Sequence, residues 1–192
     1  MDSIELLLSI FLGVGLAAAV GFRVFLPLLI LSLAGHYDIV PLAEGWQWAG
    51  SLTAIITLGV ATLVEVFGYY IPWIDNLLDA VAVPLAAIAG TAVIVATVSD
   101  LNPVFTWALA IIAGGGTAAA IKGNTAALRL TSSTTTGGIA NPVVTTVETG
   151  SSTVMSVASI FLPPLAIILV ILIFWMMIRF YRKLRKKRVP RP

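Results

Sequence analysis

Seven charged side chains stand alone in apolar surroundings along this chain: Arg23, Glu65, Asp75, Asp79, Lys122, Arg129 and Glu148. Such groups can pair with one another, pass protons through a carboxylate, or hold an ion of opposite sign. Asp75 and Asp79 are four residues apart, on one face of a helix, where two carboxylates with further oxygens suit a divalent cation. Solvation at the positive end of a helix starting at Pro72 is the plainer reading of that pair. Arg129 is followed by hydroxyls from Thr131 to Thr136, then by Gly137, Gly138 and Asn141. Hydroxyls, backbone amides and a guanidinium can cradle phosphate, although hydroxyls also satisfy backbone groups inside a membrane. The chain has no cysteine and one histidine, His36, so thiol catalysis, disulfides and zinc or haem centres are set aside. Gly114-Gly115-Gly116 lacks the spacing of a nucleotide loop and reads as close helix packing.

The elements that carry these groups follow from composition. Of 192 residues 59% are hydrophobic and 10% charged, and the mean hydropathy is +1.03. Soluble domains carry about 25% charged residues, so an aqueous globular domain and a disordered chain are excluded, and an all-α transmembrane protein is expected. A bilayer core needs about 20 apolar residues per helix, and stretches 4–34, 49–70, 73–98, 104–121 and 154–178 meet that length. The first exceeds one crossing and is expected to bend or break between Gly21 and Pro27. Asp2 and Glu5 stand where a signal peptide has positive charge, so this stretch reads as a retained helix. Residues 122–153 are too polar for an ordinary span.

Short similarities between the halves bear on that segment. Gly15-Leu-Ala-Ala-Ala-Val resembles Gly116-Thr-Ala-Ala-Ala-Ile, Val64-Glu65 resembles Val147-Glu148, and Val83-Pro84 resembles Pro163-Pro164. Their common order suggests two inverted three-segment repeats, 1–98 and 99–178, followed by a basic tail over 179–192. Six membrane segments then require 122–153 to cross as a broken, re-entrant polar segment with its unwound centre near Gly137 and Asn141; an external loop is the alternative. Eight of the eleven basic residues lie between positions 179 and 191, which sets the C-terminus on the cytoplasmic side and also suits anionic lipid. The same reading puts the N-terminus inside, and the 36–48 loop and Asp100 outside.

The run Gly15 to Leu29, then Glu65, Ile71-Pro72, Asp75, Val83-Pro84, Gly90, Lys122, Arg129, Asn141 and Glu148, resembles a bacterial membrane family, the domain of unknown function 4126. That resemblance implies a small multi-pass protein of the bacterial inner membrane and no assigned activity. The residues themselves suggest a transporter or channel for an ion or small polar solute, with Arg23, Glu65, Lys122, Arg129, Thr136, Asn141 and Glu148 as its binding candidates. The alternatives are an enzyme or translocase acting on a phosphorylated lipid carrier, and a scaffold whose polar core only fixes helix register. No cofactor is expected beyond the divalent cation at Asp75 and Asp79. Partners expected are the bilayer, a small ion or solute and a homo-oligomer formed through Gly and Ala faces, with no nucleic acid.

Overall fold

Apolar runs without two-residue alternation, punctuated by proline, glycine and short polar loops, form helices. The computed structural model of the chain describes residues 3–99 and 101–187. Among these residues there is no strand. The helices are α1 (Ser3–Phe22), α2 (Phe25–His36), α3 (Leu52–Gly68), α4 (Pro72–Thr97), α5 (Pro103–Leu109), α6 (Gly116–Thr136), α7 (Asn141–Phe161) and α8 (Pro163–Lys187). A π-helical turn, Ala110–Gly115, joins α5 to α6 in one rod of 34 residues. Ser51 caps α3 by accepting the Ala54 amide, and Asn102 caps α5 by accepting that of Val104.

Among the described residues, four helical stretches are long and apolar enough to cross a membrane: Ser3–Phe22, Leu77–Thr97, Pro103–Thr136 and Pro163–Lys183. α2 and α3 are apolar but shorter. At 12 residues α2 is about 18 Å long, well under one bilayer core.

α1 is the axis of the bundle and packs against α4, α6, α7 and α8. Gly13 faces Ile94 and Thr97 while Val24 shares a cavity with Ala82 and Leu85, so α1 and α4 are antiparallel. Gly15 faces Ala166, and Phe22 packs with Ile173 and Met177, so α8 runs the same way as α1. Residue 3 and residue 187 therefore lie at opposite ends of the bundle, unlike the expectation of two cytoplasmic termini. α4 and α6 meet at Gly90 and Gly114, where a Cβ on Gly90 would stand 2.7 Å from the Gly114 carbonyl oxygen. Only the missing side chains let these backbones approach so closely.

The 4–34 stretch is a helical hairpin and not a bent span. The chain turns at Arg23-Val24, and α2 runs back until Ala43, just beyond it, donates to the Ala96 carbonyl beside Gly13. The 122–153 segment also differs from a crossing with an unwound centre. Its first half continues α6, Gly137 and Gly138 turn the chain with φ of 63° and 85°, and α7 returns antiparallel. Within the helical polar run Thr131, Thr135 and Thr136 satisfy their hydroxyls by donating to carbonyls four residues earlier. The 154–178 stretch is not one span either: Leu162, with φ of −140°, ends α7 before Pro163 and Pro164 open α8.

The two G-x-A-A-A stretches lie in α1 and α6, which run side by side in the same direction, since Gly114 faces Ile94 and Gly90 faces Ala118, making α6 as well as α1 antiparallel to α4. An inverted repeat requires opposite senses. The largest apolar core mixes Leu16 and Val20 with Ala89, Ala118 and Ile160, so the halves interdigitate. Asp100 and the tail beyond residue 187 lie outside the described residues.

Candidate functional site

A helix that stops inside a bundle leaves carbonyls at its end without partners, and the helix that follows leaves amides. At the α1–α2 break both sets are met by charged side chains from other helices. The Glu65 carboxylate on α3 accepts the Val24 amide at 2.8 Å and the Phe25 amide at 3.0 Å. The Lys122 ammonium on α6 donates to the Phe22 carbonyl at 2.9 Å. An anion thus sits at the positive end of α2 and a cation at the negative end of α1. Pro27, third in α2, has no amide to satisfy.

Tyr69 follows Glu65 by one helical turn and takes the centre. Its ring lies 4.3 Å from the guanidinium carbon of Arg23 and 4.3 Å from that of Arg129, with the Lys122 ammonium 5.3 Å away. The negative face of the ring draws all three cations. Its hydroxyl lies on the side of Asp79.

Arg129 joins α6 to its neighbours. It donates to Asp75 Oδ1 at 2.6 Å, to the Thr145 hydroxyl at 3.2 Å and to Glu148 Oε2, and its Nε stands 3.5 Å from Asp79 Oδ2. Arg23 donates to the Thr149 hydroxyl and the Thr145 carbonyl, both at 3.1 Å, and stands 3.7 Å from the same Glu148 oxygen. Asn141 donates to Asp75 Oδ2 at 2.9 Å and to the Ser133 hydroxyl at 3.0 Å. Three cations and four carboxylates are gathered here, all of them buried apart from Asp79, which is 19% exposed. With every group ionised the cluster carries one surplus negative charge.

Arg23, Glu65, Lys122, Arg129, Asn141 and Glu148 come together, and Asp75 and Asp79 join them as partners of Arg129. Both Asp75 oxygens are occupied by donors, and among the described residues no group of three or more His, Cys, Asp or Glu is placed to hold a metal ion. Thr136 stands apart, exposed near the α6–α7 turn, where its hydroxyl serves Ser132 and the Ala140 amide. Tyr69 and Thr145 belong to the site although sequence reasoning passed over them. The signal for Thr145 was present: Asn141, Thr145, Glu148, Ser152, Ser156 and Ser159 recur at helical spacing and form the buried face of α7. Val143, Val147 and Val154 point outward from the same helix, so its polarity is reversed relative to a soluble protein's helix.

Four buried polar atoms in the cluster have no hydrogen-bond partner among the described residues: Arg23 Nη1, Arg129 Nε, Asn141 Oδ1 and Glu148 Oε1.

An all-helical bundle with four apolar helices of membrane-spanning length around a buried charged cluster is the architecture of an integral membrane protein. Residues 10–183 match the model of the domain of unknown function DUF4126, and the chain belongs to that family. No curated protein and no solved structure matches it.

Proposed function

We propose that this protein is a small multi-pass transporter of the bacterial inner membrane for an ion or small polar solute, with the basic end of α8 cytoplasmic. The observation that carries this reading is the seating of Glu65 and Lys122 on the two ends of a broken helix, against an incompletely satisfied Arg–Glu cluster. Broken helices whose ends face a polar site are how membrane carriers hold charged cargo. A network serving stability alone is a weaker account, since apolar packing of equal volume does as well or better. An enzyme acting on a phosphorylated lipid carrier has less support, because the hydroxyls of Thr131, Thr135 and Thr136 are exposed and bonded within α6.

The test is flux of protons, sodium, potassium and chloride into proteoliposomes holding the purified full chain. Flux above that of empty vesicles, lost in Glu148→Gln while the variant still inserts, is the expected result. Fluxes equal to those of empty vesicles for all four ions would overturn the reading as an ion transporter.

A further inference from the structure

Beyond the cluster, a cavity of about 900 Å³, open on the outer face of the bundle where Val147 and Val154 point outward, lies between α6, α7 and α8. Leu128, Val147, Val154, Leu172 and Met176 are typical of its lining, and its volume suits a ligand of drug or lipid-chain size. Glu148 is the one ionisable side chain in this wall among the described residues. It is 97% buried; its Oε2 is held by Arg129, whereas its Oε1 has no donor. The soft terminal torsion of a glutamate lets that carboxylate turn to meet an occupant.

The chemistry of the wall selects the occupant. A chain of methylenes matches the aliphatic and methionine lining, which adapts to irregular shapes. A hydrogen-bond-donating cation matches the unpartnered oxygen of Glu148. An anionic head finds no lysine or arginine in the wall, because Arg23 and Arg129 are engaged on the other oxygen of Glu148. We propose that this cavity binds an amphiphilic primary amine, its hydrocarbon tail along α8 and its ammonium on Glu148. The site shares Glu148 with the cluster and does not require that the cluster transport an ion.

The experiment uses the full chain in phosphatidylcholine nanodiscs with two photoreactive probes of equal length, dodecylamine and dodecanoic acid each carrying a diazirine. Peptide mapping is expected to place the amine label on α6, α7 and α8, about tenfold above the acid, as a charge-assisted hydrogen bond implies. Glu148→Gln should bring the two probes to equal labelling. Val154→Trp, which fills the cavity and leaves Glu148 in place, should abolish amine labelling and serves if the first variant does not fold. Equal labelling of wild type by both probes, preference for the acid, amine labelling undiminished by Val154→Trp, or a label centred on α3 would each overturn the proposal.

Discussion

The Glu65 carboxylate reaches the Val24 amide at 2.8 Å across 41 residues of chain, and with it sets where the first apolar stretch must stop being a helix. Both oxygens are in use, one on Val24 and one on Phe25. Glu65→Gln keeps the shape but turns an NH2 group toward one amide and removes the charge that suits the start of α2. An unsatisfied buried donor costs about 1–3 kcal/mol, so thermal unfolding in detergent should show a clear drop in midpoint. Glu65→Ala should lower it further by opening a cavity.

Arg129 is the cation whose removal should cost most. Arg129→Met leaves Asp75, Asp79 and Glu148 facing one another without their shared partner, and breaking such a buried set costs about 3–5 kcal/mol. Arg129→Lys retains a charge but cannot fork between Asp75 and Glu148, so it should fall between the two. Denaturant unfolding of the three proteins in one detergent measures the order.

Tyr69 separates ring from hydroxyl. Tyr69→Phe keeps the face between Arg23 and Arg129 and removes only the hydroxyl near Asp79, so it should cost no more than about 1 kcal/mol. Tyr69→Leu removes the face as well and should cost a further 1 kcal/mol or so for each desolvated guanidinium. A thermal shift of equal size in both variants would show that the ring contributes nothing as a cation partner.

The bundle direction is testable because the native chain lacks cysteine. Ser3→Cys and Lys183→Cys, labelled separately with an impermeant maleimide in oriented vesicles, should react from opposite faces. Reaction of both from one face would contradict the parallel course of α1 and α8.

Two glycines of similar helical context should respond in opposite ways. Gly90→Ala drives a methyl into the Gly114 carbonyl and Ala118, and should destabilise the α4–α6 contact. Gly59 has no atom within 4 Å of such a methyl, so Gly59→Ala should leave stability unchanged or raise it by up to about 1 kcal/mol through helix propensity. Unfolding midpoints compare the two.

Much of the cluster was legible because isolated charges in apolar runs have few other uses: Arg23, Glu65, Lys122, Arg129 and Glu148 all enter it. The break near Arg23 was legible too, from excess length and Pro27. The α6–α7 hairpin was not, since propensity disfavours a threonine run as helix, and the contacts of Arg129 with Asp75 and Glu148 and of Asn141 with Ser133 that hold the two helices together are visible only in three dimensions. Tyr69 was hidden by its position in the Tyr69-Tyr70 pair, where an aromatic reads as a membrane-interface anchor. The short repeat matches misled because small residues recur wherever helices pack closely, whatever their direction.

The π-helical turn at Ala110–Gly115 acts as a phase shifter for everything downstream. One turn of that geometry accommodates an extra residue relative to an α-helix, and each residue rotates a helix by about 100°. The azimuth of Lys122 and Arg129 about the rod is therefore fixed a dozen residues upstream, where no charged side chain stands. Had the rod been α-helical throughout, with one residue fewer, the face that carries both cations would be turned by about 100° away from Phe22 and Tyr69, with Lys122 in the place of Ile121 against Gly21.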